Sequence, residues 1–503
     1  MHVQTEGRAP GQGAGLNAIF TMTGQTDAMY EARLMPLRSR METVGLWLTA
    51  GAILLWPTIF NGFPLIFPDS GTYLGIAYGH EYALDRSSFY GLLLKPLVTS
   101  LPRVAGLWLG VAGQALAVSA VLILAASQLC PRATGIQLLG CIIVTTLLTS
   151  LAWHSAQYMP DAFTGPVLLL AWLAASRDPA APGAALLWLA AIVLALTHYT
   201  HLVLLGAGAG AGILAHAACG LRLRDIVRRA VAAAVAVAAV AGVLIAANRL
   251  ALGRSTISPM GSLFLYARLN EDGLVPVWLD RHCGRDAPAA LCALRGSLPR
   301  DSQKLLWGGA ATPLTALVWH DVEGTRWQWI DMMGVANRGA IAEAPLAFAQ
   351  VAATGSLRQF ISFAALDDEC PVGCRDLVGG INYTLNKYRP ETVAALQASR
   401  QVQDTTGKAF VRMMTTPVAA LSLLLLPIAL VSAWRRRDAV ALSLLAAVAT
   451  GLVTNAMLAG ALSDVHDRYQ SRVVWLVPFV LLLVAAKWNH TFRRSRISLP
   501  GLK

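Results

Sequence analysis

Long apolar runs, repeated along most of the chain and separated by short polar connectors, leave this sequence few ways to fold. A helix needs about 20 apolar residues to cross the hydrocarbon core of a bilayer. Windows of this kind cover residues 43–60, 104–128, 135–153, 162–176, 183–197, 200–218, 229–249, 416–434, 439–461 and 472–488. Two of them, 162–176 and 183–197, are short and are expected to tilt or extend into their flanks. The pattern predicts an all-α polytopic membrane protein with about ten transmembrane helices. Only 14% of residues are charged, where soluble domains carry about 25%.

The basic residues set the expected sidedness, because connectors rich in Lys and Arg stay on the cytoplasmic side. Arg33, Arg38 and Arg40 precede the first span. Arg132, Arg177, the run from Arg222 to Arg229, Arg435 to Arg437 and the C-terminal "KWNHTFRRSR" all fall in connectors that ten spans place on that same side. Both termini are therefore expected in the cytoplasm. The net charge of +12 lies in these anchoring blocks, which excludes a nucleic-acid face.

The layout follows from the spans. Residues 1–42 read as a disordered cytoplasmic tail without a signal-peptide core, with Met35 or Met41 as alternative starts, and the first span as an uncleaved anchor. Residues 43–249 form seven spans with a long first outer loop over 61–103. Residues 250–415 are too long for a loop and are expected as a mainly helical outer domain between spans seven and eight. Residues 416–490 supply the last three spans, and 491–503 a basic cytoplasmic tail.

Cys283, Cys292, Cys370 and Cys374 all fall in the outer segment, an even number where an oxidising compartment would lie. Two local disulfides, Cys283–Cys292 and Cys370–Cys374, are expected. A zinc site built on these four, or with His282 replacing one, is the alternative, although the spacing matches no common zinc pattern.

Ionisable residues gather at one membrane boundary, in four outer connectors: Asp69, Glu81 and Asp85; His154 and Asp161; His198 and His201; Asp464, His466, Asp467, Arg468 and Arg472. Such residues near lipid must be paired or face water, which makes them functional candidates. In "FPDSG" and "YMPDAF" a Pro-Asp step opens a helix, so Asp69 and Asp161 read either as caps or as carboxylates at the mouth of the bundle. In "HDRYQSR", Arg468 and Arg472 stand four apart on one helical face. They suit a phosphate, or a salt bridge to Asp464 or Asp467. Lys95 could serve the same anion, and "THYTH" sets His198 and His201 three apart for phosphate or metal contact, or for a plain turn.

These features resemble the GT-C class of polyprenyl-phosphate-sugar glycosyltransferases. The likeness rests on an acidic residue, Asp69, after the first span in a long outer loop, on the Pro160–Asp161 step, and on the late "DRYQSRVVWLVPF". Two features depart from the class: the first loop lacks a paired acidic motif, and the outer domain lies between spans seven and eight rather than at the C-terminus. The resemblance implies a GT-C-like bundle in a bacterial inner membrane with its active site facing the periplasm. A sugar would pass from a polyprenyl-phosphate carrier to a glycan, lipid or protein acceptor. Asp69 would be the catalytic base, Asp161 a second carboxylate orienting acceptor or metal, and Arg468 and Arg472, with Lys95, the phosphate ligands. Tyr73, Trp153, His198 and His201 would line the substrate site. A divalent cation stays open as the only cofactor. The alternatives are an oligosaccharide polymerase or ligase using a polyprenyl-diphosphate donor, and a lipid or glycan transporter.

Overall fold

The structure, a computed structural model, describes residues 40–79, 82–309, 312–366 and 379–497. Glu81, the Cys370–Cys374 pair, residues 1–39 of the expected N-terminal tail and residues 498–503 of the C-terminal one lie outside the described residues. Among the described residues the protein is helical, without a strand; one isolated parallel bridge joins Leu65 to Gln157.

Among the described residues, seven helices are long and apolar enough to cross a membrane. They are α1 (Arg40–Leu54) continued by α2 (Trp56–Asn61), α5 (Arg103–Leu129), α10 (Tyr199–Ala218), α11 (Leu223–Leu252), α20 (Lys408–Arg435), α21 (Ala439–Leu462), and α22 (Asp467–Val474) continued by α23 (Leu476–Ile497). Shorter helices complete the bundle: α3 (Ser70–Gly79), α4 (Phe89–Val98), α6 (Gly135–Leu148), α7 (Leu151–Ser155), α8 (Thr164–Ala175) and α9 (Ala184–Ala195). A 3₁₀ turn over Pro160–Phe163 leads into α8. Val231 and Val235 on α11, and Leu424 and Ile428 on α20, point outward. An apolar exterior on helices of this length marks a membrane-embedded protein.

Helix pairing in lipid gains nothing from the hydrophobic effect, so it depends on close packing of small residues. The run "GAGAGAG" in α10 supplies them. Gly208 faces Leu168 and Ala171 of α8, and Gly212, one turn on, faces Trp172 of α8 and Ser443 of α21. Trp172 fills the space between these helices and donates its indole N–H to Ser443 Oγ at 2.9 Å.

The segment expected as one outer domain is not a single packing unit. Residues 260–340 have their own core, in which Met260, Tyr266, Leu279, Ile330 and Met333 of α12 (Gly261–Glu271), α13 (Leu274–His282) and α16 (Arg326–Glu343) and their flanks are buried together. The helices α14 (Ala289–Leu294) and α15 (Ser302–Trp307) cover this core. Cys283 and Cys292 form the expected disulfide there. Beyond Glu343 the chain returns to the bundle. Helix α17 (Pro345–Ile361) crosses α21 so closely that a Cβ on Gly355 would lie 2.1 Å from the Gly460 carbonyl oxygen. Helix α18 (Gly379–Tyr388) meets α3 just as tightly: a Cβ on Gly71 would lie 2.6 Å from the Gly380 carbonyl carbon. Ile381 and Leu385 of α18, and Leu396 of α19 (Val393–Gln397), belong to the core of the bundle. Small residues at 71, 355, 380 and 460 let backbone touch backbone, so the last third of the segment caps the bundle.

Candidate functional site

The stretch "PLIFPDSG" is held rigidly where the bundle ends. Leu65 N–H donates to Ala156 O at 3.1 Å and Tyr158 N–H donates to Leu65 O at 2.9 Å. This pins the first connector against the "SAQYMPD" connector. Gln401 clamps the other edge, accepting from Ile66 N–H at 3.0 Å and donating to Ile66 O at 2.7 Å. Ser70 Oγ accepts from Phe67 N–H at 2.8 Å and donates to Tyr158 O at 2.9 Å. The serine therefore takes the local hydrogen bonds at the start of α3, and the Asp69 carboxylate is free of them.

Asp69 uses its carboxylate on two arginines. Its Oδ1 lies 2.6 Å from Arg86 Nη1 and its Oδ2 lies 3.8 Å from Arg468 Nη1. Asp161 behaves alike. It sits in the 3₁₀ turn without capping it, and its Oδ1 meets Arg472 Nη1 at 2.7 Å while Oδ2 faces Arg468 Nε at 3.6 Å. At the outer flank, Arg86 makes a bidentate pair with Asp85 at 3.1 and 2.5 Å. The result is one continuous row of alternating charge: Asp85, Arg86, Asp69, Arg468, Asp161, Arg472. Three connectors, distant in sequence, contribute to it.

Burial grades along this row. Arg472 is 2% exposed and Asp161 1%, whereas Asp69 is 28% exposed and is the most open member. Taking a guanidinium and a carboxylate out of water is costly unless each is paired and further hydrogen-bonded. Arg472 Nη2 donates to Asn455 Oδ1 at 2.9 Å, and Asn455 in turn donates to Gln470 Oε1 at 2.9 Å. Arg468 lies over the Phe67 ring at 3.8 Å and beside Tyr469 at 5.0 Å. Burial works against the charge of Arg86, and Asp69 and then Asp85 more than offset it, so its guanidinium is held further into the charged range. Burial also pushes the Tyr73 phenol up, keeping it an O–H donor; its ring stands edge-on to Tyr90 at 4.9 Å with Arg86 above it.

The remaining sequence candidates divide. His198 caps α10, its Nδ1 accepting from Thr200 N–H at 3.2 Å. His201 is fully buried and joins Thr164 Oγ1 at 3.0 Å, a strut between α10 and α8 rather than a lining residue. Trp153 is likewise enclosed, edge-on to Trp56 at 5.0 Å. Among the described residues the ion pairs of the row do not include Lys95, which lies half-buried on α4. His154 bonds Ser471 Oγ at 3.0 Å, and burial lowers its pKa to about 4, so it is neutral at pH 7.

Arg468 and Arg472 turn to Asp69 and Asp161 rather than to Asp464 or Asp467. Asp464 turns to the 260–340 unit, accepting from Ser302 Oγ at 2.9 Å and Gln303 Nε2 at 3.1 Å. The residues that sequence reasoning left without a role are Arg86 and Asn455. Both carried a signal: Asp85-Arg86 repeats the Asp-Arg step of Asp467-Arg468, and Asn455 is a polar side chain inside an apolar run.

No three His, Cys, Asp or Glu side chains converge as a metal-binding set among the described residues. A cavity of about 400 Å³, lined by Cys130, Leu138, Cys141, Val144 and Leu483, lies at the other end of α23, away from the charged row. Its walls are mostly apolar and carry no paired charges. No known protein family, no curated protein and no solved structure matches the chain.

Proposed function

We propose that this protein is an integral membrane glycosyltransferase of the polyprenyl-phosphate-sugar type. In this reading ten helices span a bacterial inner membrane, the seven long ones together with α6, α8 with its 3₁₀ turn, and α9. Both termini are cytoplasmic, and the charged row faces the periplasm. The observation that carries the reading is the convergence of Asp69, Asp161, Arg468 and Arg472 in one connected row at the end of the bundle that lacks the basic connectors.

The chemistry divides among these residues. Asp69, the most open carboxylate, takes the proton from the acceptor hydroxyl. The acceptor oxygen attacks the anomeric carbon, the bond from that carbon to the phosphate oxygen breaks, and its electron pair leaves with the phosphate. Arg468 meets that charge. Both oxygens of Asp161 are engaged by arginines, so it holds Arg468 and Arg472 in place rather than touching the acceptor. Tyr73, buried beneath Arg86, supports that guanidinium through its ring rather than touching the sugar. The acceptor is a glycan, lipid or protein hydroxyl.

The test uses the purified protein in liposomes carrying polyprenyl-phosphate sugars, with mass spectrometry of the lipid products. Consumption of donor with release of polyprenyl phosphate supports the reading. An intact donor pool with movement of lipid or solute across the bilayer would instead assign the buried Asp161–Arg472 pair to transport, since intramembrane ion pairs also mark transport pathways.

A further inference from the structure

Asp69 stands where a phosphate would stand. Its two oxygens face Arg86 Nη1 and Arg468 Nη1, which come from different connectors. Both of those nitrogens are buried and make no hydrogen bond among the described residues. The contact is therefore ionic and incompletely satisfied, and a better acceptor can compete for it.

Each arginine is also anchored without Asp69. Arg86 is gripped from behind by Asp85 through Nε and Nη2. Arg468 is held through Nε by Asp161 and stacks on Phe67. Removing the Asp69 carboxylate would leave two fixed guanidiniums with their Nη1 groups aimed at one partly open place. The phosphate diester of the donor presents two non-bridging oxygens on a tetrahedral centre, which suit guanidinium forks, and the monoester left after transfer presents three.

Charge leads to the same arrangement. Asp69, Asp85 and Asp161 carry three negative charges against three guanidiniums, so the row is neutral as it stands. A phosphate brought to this neutral row competes with the carboxylates for the same guanidiniums, and Asp69, the most exposed of the three, is the one that can turn toward water.

We infer that Asp69 is a built-in counter-anion: the donor phosphate displaces its carboxylate from Arg86 and Arg468, and the freed carboxylate becomes the base. The inference rests on the glycosyl-transfer reading and adds Arg86 to the residues that hold phosphate. Before the donor binds, two guanidiniums occupy the base. Afterwards they hold the phosphate, and Asp69 accepts the proton of the acceptor hydroxyl as the sugar–phosphate bond breaks.

The exchange predicts opposite signs for binding and for turnover. Neutralising Asp69 removes the competitor, so phosphate should bind more tightly while turnover is lost. The probe is farnesyl phosphate, titrated into the full-length protein in nanodiscs, with farnesol and inorganic phosphate as separate arms. Wild type should bind farnesyl phosphate and not farnesol. Asp69→Asn should bind it about tenfold tighter, roughly 1.4 kcal/mol. Arg86→Ala should bind it at least about tenfold more weakly by the same conversion. Asp69→Ser supplies a second neutral variant should Asn disturb folding.

Equal or weaker binding by folded Asp69 variants, with wild type still binding, would overturn the exchange and leave the phosphate site standing. Failure of wild type to bind farnesyl phosphate would overturn both. Inorganic phosphate binding as well as farnesyl phosphate, and more tightly still to Asp69→Asn, would uphold the exchange but replace the lipid donor with a soluble one.

Discussion

Arg281, His282 and Asp286 in the 260–340 unit with Glu343 at the end of α16, and Arg86, Asp69, Arg468 and Asp161 at the end of the bundle, are built from much the same residue types. In the first group His282 joins Asp286 at 2.6 Å and Glu343 at 2.8 Å, and Arg281 joins Glu343 at 2.5 Å. Distances are as short as those in the row, but Arg281 is 65% exposed and Asp286 69%. Those two charges sit in water and are screened by salt. Apart from Asp69 the row is enclosed, its charges depend on one another, and its members come from three connectors distant in sequence. Connectivity and burial, rather than residue type or distance, separate a candidate for chemistry from a surface ion cluster.

Breaking the buried end of the row should have the largest effect. Arg472→Ala strands Asp161 with only the more distant Arg468, and removing one partner of a buried pair costs about 3–5 kcal/mol. Thermal unfolding in detergent should show a clear drop in midpoint. An unchanged midpoint would mean that the row is not mutually dependent.

Arg468 comes next. Lysine keeps the charge but cannot face Asp161 and Asp69 at once through separate nitrogens of a planar fork. Arg468→Ala should weaken donor use by roughly 2–4 kcal/mol, with Arg468→Lys recovering only part. Equal activity of the lysine variant and wild type would contradict the two-sided role.

The surface group should respond more weakly, and first through its neighbouring cross-link. Cys283 and Cys292 close a short loop beside His282, and such a bond contributes about 2–3 kcal/mol. Cys283→Ser should lower stability of the 260–340 unit, read by proteolysis within it, while leaving the row unaltered. Altered donor binding in that variant would show that the two regions are coupled.

His282 itself should give the smallest effect. Hydrogen bonds to Asp286 and then Glu343 raise its pKa above the ordinary 6.5. A raised folded value means that its contribution is full below the unfolded pKa and fades as pH rises through the folded one. His282→Ala should therefore matter slightly near pH 6 and not at pH 9. A loss that persists at pH 9 would indicate a packing role, through its stacking on Trp278.

The helical membrane class was legible because about 20 apolar residues in a row have one common outcome, and each expected window meets a helix. The convergence of Asp69, Asp161, Arg468 and Arg472 was legible in part, since all flank one boundary. Their partners were not. Spacing within "SDVHDRYQSR" offered Asp464 and Asp467 as local counter-ions, but α22 turns the arginines inward to residues some 300–400 positions earlier, a choice made by helix packing. Of the two readings open for Asp69 and Asp161, cap or carboxylate at the mouth, the sequence could not choose: Ser70 takes the local hydrogen bonds beside Asp69, and Asp161 turns both oxygens to arginines. The division of 250–415 was hidden because apolar residues in α17 and α18 look alike whether they cover their own core or the bundle.

Asp69→Asn, measured for folding and for sugar transfer on one preparation, tests the central claim most directly. Asparagine keeps the shape of the side chain and cannot accept the proton. The account predicts a folded protein with an unfolding midpoint near wild type and transfer slowed by about 10²–10⁴. A folded Asp69→Asn protein that transfers sugar at the wild-type rate would contradict it, and would leave the row of alternating charge as architecture.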